Sequence, residues 1–242
     1  FRLAATPETD GSAPADIAIP PRGAKLSEHG SKRLLAAAGL KMPPETLVTW
    51  RDDLHDAVAR AGLPLAMKIQ SPDIAHKSEI GGVRLGVASE DEAMAAFDDL
   101  LAQAKRQRPD AAIEGVLVGP MAKPGTEIIV GTVRDATFGP MVMVGFGGVT
   151  TELFRDVVYR SAPVGADEAV AMLDALKAAP LLHGFRGAPK ADVAALSELI
   201  SRVSQLAARY RDEIAEIEIN PVRVHRDGEG VTVVDALVVP AR

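Results

Sequence analysis

Residues 65–87 read LAMKIQSPDIAHKSEIGGVRLGV. The stretch opens on a short apolar run, Leu65–Gln70, holding one lysine, Lys68. It turns at Pro72-Asp73, passes through His76-Lys77-Ser78 and a Gly81-Gly82 pair, and closes on a second apolar run, Val83–Val87. This pattern predicts strand, loop, strand. A lysine on the buried side of a strand costs several kcal/mol if it has no partner, so Lys68 calls for an anion, and polyphosphate is the natural one. His76 lies in the loop between Asp73 and Lys77. A neutral imidazole nitrogen is a nucleophile whose charge state is set near neutral pH, so it can accept a phosphoryl group. Lys68 and Arg84 are near enough in sequence to stabilise transferred charge. The plain alternative, an inert loop histidine, stays open at this point.

Outward from the centre, Ser27 reads as the N-cap of a helix through Ala38, stopped by Gly39. Pro43-Pro44 precedes an extended run, TLVTW. Thr49 with Asp52 predicts a capping box for a helix from Trp50 to Arg60, and Ser89 with Glu92 predicts one for a helix to about Arg106. Strands are expected over Glu114–Met121, Thr126–Val133, Met141–Phe146 and Val157–Ala162, and amphipathic helices over Asp167–Ala178 and Asp192–Arg209. Ile214–Pro221 and Val231–Val239 form the last two strands around the turn Asp227-Gly228-Glu229-Gly230.

That last pair carries oxygen ligands. The period of two along a strand puts Glu216, Glu218 and Asn220 on one face. Asp235 interrupts an apolar run in the partner strand. Paired as a hairpin, Asn220 and Asp235 come close, and an amide with a carboxylate, completed by substrate phosphates and water, suits Mg²⁺. A solvated acidic edge strand is the alternative for Glu216. Gly147-Gly148 follows a strand and reads either as a tight turn or as a backbone nest for phosphate. A dinucleotide fingerprint fails because Thr150 stands where glycine is needed. Glu127 reads as a ribose-binding carboxylate or as an exposed strand start. His29, His55 and His225 read as surface histidines, and His183 as a bystander in the LLHGFRG loop.

The chain has 242 residues, a formal net charge of -6, 47% hydrophobic residues and no cysteine. It is long enough for one large domain or two lobes sharing a cleft. Disulfides, zinc ribbons and thiol nucleophiles are excluded, and the composition fits a cytoplasmic setting. No apolar run approaches the roughly 20 residues of a membrane span, and the start shows no signal-peptide pattern. Acidity and scarce aromatics argue against nucleic acid. Residues 1–23, rich in Pro, Ala, Gly and acids, read as a linker or tail. The chain starts at Phe1 and so reads as trimmed or as the downstream part of something longer.

Three blocks in one order carry a resemblance: AMKIQSPDIAHKSEIGGVRLGV, GPMAKPGTEIIVGTVRDATFGPMVMVGFGG, and AEIEINPVRV with VVDA. From Leu26 to the end the chain resembles the ATP-grasp domain of the NDP-forming acyl-CoA synthetases, the ADP-forming acetyl-CoA synthetase group. The resemblance implies an α+β ATP-grasp fold whose two lobes grip ATP or ADP with Mg²⁺. The expected domain spans 24–242, with residues 42–114 as first lobe, 115–242 as second, and helix 26–38 packed on the second. Lys68 is similar to the lysine that contacts the phosphates. Glu127, Gly147 and Gly148 fall at the nucleotide site, and Gly119, Pro120 and Met121 at the hinge beside the purine. Asn220 and Asp235 are similar to the metal ligands, and His76 to a second phosphohistidine that shuttles phosphoryl on a swinging loop hinged at Pro72 and Gly81-Gly82. The hinge departs from the family pattern, with Gly119 where Gln or Glu is usual. The CoA-binding domain or α subunit, bearing CoA, an organic acid and the first phosphohistidine, is expected upstream or as a separate chain, and an oligomer is expected. A non-catalytic regulatory module, or another carboxylate ligase, is the alternative.

Overall fold

The computed structural model describes residues 16–148 and 156–242. Thr150, and residues 1–15 of the expected tail, lie outside them. Two antiparallel sheets divide the strands. The first orders its four strands β1 (Thr46–Val48), β4 (Gly115–Pro120), β2 (Leu65–Gln70) and β3 (Val83–Val87). Helices α2 (Leu54–Ala61) and α3 (Glu90–Gln107) cover one face, because alternate residues Leu65, Met67 and Ile69 with Val116 and Val118 are apolar and join Leu54, Val58, Phe97 and Leu100 in one core. The opposite face of β2 carries Lys68 and Gln70.

The second sheet runs β10 (Ala236–Pro240), β8 (Ile214–Val224), β5 (Thr126–Asp135), β6 (Gly139–Phe146) and β7 (Val157–Ser161), with β9 (Val231–Val233) also paired to β8. Its core face packs α4 (Ala166–Asp174), α5 (Val193–Arg209) and α1 (Glu28–Ala37). Leu34 and Leu35 of α1 belong to this larger core, and Ser31 Oγ accepts from the Val238 amide at 3.0 Å.

Several expectations need correction. β4 pairs with β1 and β2, so a first lobe ending at residue 114 leaves out one of its own strands. Residues 16–23 are not a free tail: Ile17 and Ile19 pack on the larger core, and the Ile17 amide donates to Tyr210 Oη at 2.9 Å. Thr49 makes no cap, because a 3-10 turn, Arg51–Asp53, intervenes before α2. At α3 the Ser89 half of the box forms, while Glu92 accepts from Ala88 rather than Ser89. α4 stops at Asp174, four residues early. The last apolar run splits into β9 and β10 at Val234-Asp235. β8 is an interior strand between β10 and β5, which removes the edge-strand reading of Glu216.

Ser27 caps α1 as expected, accepting from the Gly30 amide at 3.1 Å, and it also donates to Glu114 Oε2 at 2.6 Å. The hydroxyl therefore fixes the entry of α1 against the residue preceding β4. Ser27→Ala is expected to lower stability by ~1–2 kcal/mol, read as a lower urea midpoint. An unchanged midpoint would contradict this.

Candidate functional site

Lys68 has the anion its burial demands, and it comes from the protein. Its ammonium donates to Glu28 Oε1 at 2.7 Å and to the Val234 carbonyl at 2.7 Å. Glu28 also meets Lys32 at 2.8 Å through Oε1 and Lys77 at 3.2 Å through Oε2. Lys77 in turn lies 3.2 Å from Asp235 Oδ2, and Lys32 reaches both oxygens of Glu45 at 2.8 and 2.9 Å and the Val234 carbonyl at 2.9 Å. Glu28, Lys32, Lys68 and Lys77 are 4, 4, 7 and 8% exposed. Three ammonium groups thus face three carboxylates, Glu28, Glu45 and Asp235.

Backbone geometry makes this meeting possible. The break between β9 and β10 turns the Val234 carbonyl toward the lysines while Asp235 stays tied to β8, its carbonyl accepting from the Asn220 amide at 3.1 Å. Asn220 and Asp235 are therefore neighbours across the hairpin. Asn220 Nδ2 donates to Glu218 Oε1 at 3.1 Å, which leaves its Oδ1 as the acceptor end.

Burial by itself would raise the Glu28 carboxyl, but the charges of Lys68, Lys32 and Lys77 and the hydrogen bond from Lys32 outweigh it and lower the pKa to about 2. Burial would lower Lys68, yet Glu28 and Asp235 reverse the effect and raise it. Asp235 is raised, first by burial and then by the Glu28 charge. Glu45 is raised by burial, offset in part by Lys32.

His76 is exposed, immediately before Lys77, at the start of a 3-10 turn, Lys77–Ile80. Among the described residues no hydrogen bond or ion pair holds its imidazole. Gly82 closes this loop tightly: a Cβ there would stand 2.6 Å from Ile69 Cγ2 and 2.8 Å from the Lys77 carbonyl. Arg84, expected to help, faces away and binds Asp99 and the Gly81 carbonyl on the α3 side. Its neighbour Val83 pairs with Lys68, so Arg84 falls on the other face.

A second group forms at the start of β5. Glu127 is half-buried, accepts from Arg223 at 2.7 Å, and takes the Gly147 amide on its carbonyl at 2.7 Å. Gly148 has φ +69°, and a Cβ there would lie 3.3 Å from Glu127 Oε2. Glu127, Gly147 and Gly148 thus belong together at the start of β5 and the end of β6. At the hinge, Pro120 has no amide hydrogen and the Met121 amide is taken by the Pro64 carbonyl at 3.2 Å. Gly119 has no room for a side chain because Glu45 Cγ would be 2.6 Å from its Cβ. His225 is not a surface residue: it is 5% exposed and bonds Thr232 Oγ1 at 2.8 Å. His183 is exposed and paired with Asp174.

Sequence reasoning missed Glu28, Lys32, Glu45 and Lys77. The available signal was α1 itself, where residues 28, 32 and 35 share a stripe and two of the three are charged.

Glu28 supports folding as a carboxylate. Its folded pKa lies below the ordinary 4.5, so its contribution is full above pH 4.5 and lost as pH falls toward about 2. Glu28→Ala is expected to cost ~3–5 kcal/mol at neutral pH, because it strands buried charge. The stability gap between wild type and Glu28→Gln, from urea curves at several pH values, should shrink on acidification from 4.5 toward 2. A gap that widens over that range would refute the assignment.

Comparison with known proteins agrees with the fold. Residues 18–239 match the model of the ATP-grasp domain family. The chain is 40% identical over 214 residues to the acetate–CoA ligase (ADP-forming) II subunit beta of Pyrococcus furiosus, covering 88% of this chain and 91% of that one. It is 38% identical to the 4-hydroxybutyrate–CoA ligase (ADP-forming) of Nitrosopumilus maritimus over 88% of this chain but spans only 30% of that protein. Among solved structures, dinucleotide forming acetyl-coenzyme A synthetase 1 of Ca. Korarchaeum cryptofilum, bound to coenzyme A and Mg-AMPPCP with its phosphohistidine segment pointing towards the nucleotide binding site, superposes with a TM-score of 0.75 at 35% identity, covering 88% of this chain and 92% of that one. Among the described residues no helix is long and apolar enough to cross a membrane. The chain belongs to the ATP-grasp family, among the β subunits and β domains of ADP-forming acyl-CoA ligases.

Proposed function

We propose that this chain is the nucleotide-binding part of an ADP-forming acyl-CoA synthetase and passes phosphoryl between Mg-ATP and His76. The observation that carries the reading is the convergence of Lys68 and Lys77 with Asp235, and of Asp235 with Asn220, beside a free imidazole. Lys68 and Lys77 present positive charge to the polyphosphate. Glu127 and the Gly147-Gly148 turn take the ribose and phosphate side, and the Gly119–Met121 hinge lies along the purine. Carbonyls at Pro120 and Met121 accept hydrogen bonds, which suits the amino group of adenine.

The donor set fits a magnesium ion. Asn220 Oδ1 and Asp235 offer hard oxygen. Among the described residues no group of three or more His, Cys, Asp and Glu could hold a metal alone, which matches an ion that takes its other ligands from phosphates and water. When bound, Mg²⁺ neutralises charge on the phosphates. The lone pair of neutral His76 forms the N–P bond as the bond from the γ-phosphorus to the β–γ bridging oxygen breaks, and that electron pair leaves with ADP. The residues supply placement and charge neutralisation. The overall reaction is acid + CoA + ATP to acyl-CoA + ADP + phosphate. It needs a CoA-binding domain or α subunit as partner, and the isolated chain makes no acyl-CoA.

γ-labelled Mg-ATP should place acid-labile phosphate on the wild-type chain. His76→Ala or excess EDTA should abolish the label, and Lys68→Ala should slow it by on the order of 10²-fold. Label that persists in His76→Ala would overturn the reading. ATP binding without any label would favour a regulatory module instead.

A further inference from the structure

We propose that Glu28 is a positioning residue for Lys68 and Lys77, holding both ammonium groups in their phosphate-facing places when the two lobes close on α1. The inference rests on the reading of those lysines given above, and it adds a residue from outside the cleft strands.

Donor counting separates the three lysines. An ammonium has three N–H groups. Lys32 meets Glu28, both oxygens of Glu45 and the Val234 carbonyl, so it is fully committed. Lys68 places two hydrogen bonds, on Glu28 and Val234, which leaves one N–H for a ligand among the described residues. Lys77 is held by ion pairs at 3.2 Å to Glu28 and Asp235, the looser of the arrangements. Glu28 divides its oxygens, Oε1 to Lys68 and Oε2 to Lys77, so one carboxylate fixes the spacing of the two.

The carboxylate is itself fixed from both lobes. Leu34 and Leu35 anchor α1 in the core of the second sheet. At the other end of α1, Gln70 Oε1 accepts from the His29 amide at 2.9 Å, pinning the helix start to the first sheet. Separating the lobes would take Glu28 from Lys68 and Lys77. A helix-borne glutamate that aligns a strand-borne lysine against phosphates is a recurrent device of phosphoryl transfer. A carboxylate that merely neutralised charge would tolerate loss of one methylene; one that sets a spacing would not.

Glu28→Asp keeps the charge and shortens the reach. Three quantities test it in the whole chain: Mg-ADP affinity by calorimetry, the single-turnover rate of His76 labelling from Mg-ATP, and protection of Lys68 and Lys77 from amine acylation by Mg-ADP, mapped by mass spectrometry. The expected result is affinity within about threefold of wild type, a labelling rate at least about tenfold lower, and unequal protection of the two lysines. A rate within about twofold of wild type, or affinity lost in proportion to rate, overturns the proposal. If the wild type takes no label, the phosphohistidine reading fails, and the protection pattern alone decides for Glu28: unequal protection supports it and the wild-type pattern overturns it. If Glu28→Asp does not fold, Glu28→Gln is judged by the same readouts. Failure of both to fold overturns positioning in favour of a purely structural role.

Discussion

One carboxylate shared by three buried ammonium groups holds the two lobes in register. Each charge taken from water costs several kcal/mol, and only close opposite charge repays it. Glu28 is the hub because, among the described residues, it alone touches Lys32, Lys68 and Lys77, and Glu45 and Asp235 complete neutrality at the margins. The arrangement is not a large source of net stability. It is a constraint, since apolar packing places α1 on one sheet while its first turn is committed to the other.

The second sheet meets that constraint through a defect in its own ladder. Had β9 and β10 been one strand, the Val234 carbonyl would lie in the sheet. Instead it accepts from Lys32 and Lys68, while the neighbouring Asp235 backbone remains bonded to Asn220. One interruption therefore serves both the lysines and the Asn220–Asp235 pair. The hinge shows the same economy: Gly119 lacks a side chain where Glu45 needs room to reach Lys32.

Much of this was legible in the sequence because period-two alternation is a strong signal. β2 and β3 fall on the residues expected, and the hairpin logic puts Asn220 beside Asp235. What stayed hidden was tertiary. Glu28 and Lys32 are spaced i,i+4 with opposite charge, the usual mark of a solvated pair. Groups distant in sequence, Lys68 of the first sheet and the Val234 carbonyl beside the second, close over them. Lys77 was overshadowed by the adjacent His76. Arg84 illustrates the converse error, since nearness in sequence says nothing of sidedness and one step along a strand reverses the face. His225 looked exposed as a strand-end residue, but pairing of β9 with β8 covers it. Thr49 had the right spacing for a cap, and the chain spent that length on a 3-10 turn.

The packed glycine at the foot of the β2–β3 loop has a geometric consequence. With Gly82 packed against Ile69, the loop from Ser71 to Gly81 is tethered at both ends to the first sheet, by β2 before it and by Gly82 and β3 after it. His76 stands five residues beyond Ser71 and six before Gly82. A fully drawn-out segment of that length carries the His76 Cα no farther than roughly 17–22 Å from its root. On the proposed reading, a phosphoryl group carried on that ring stays within this distance of the edge of the first sheet, which sets how near that edge its acceptor has to come.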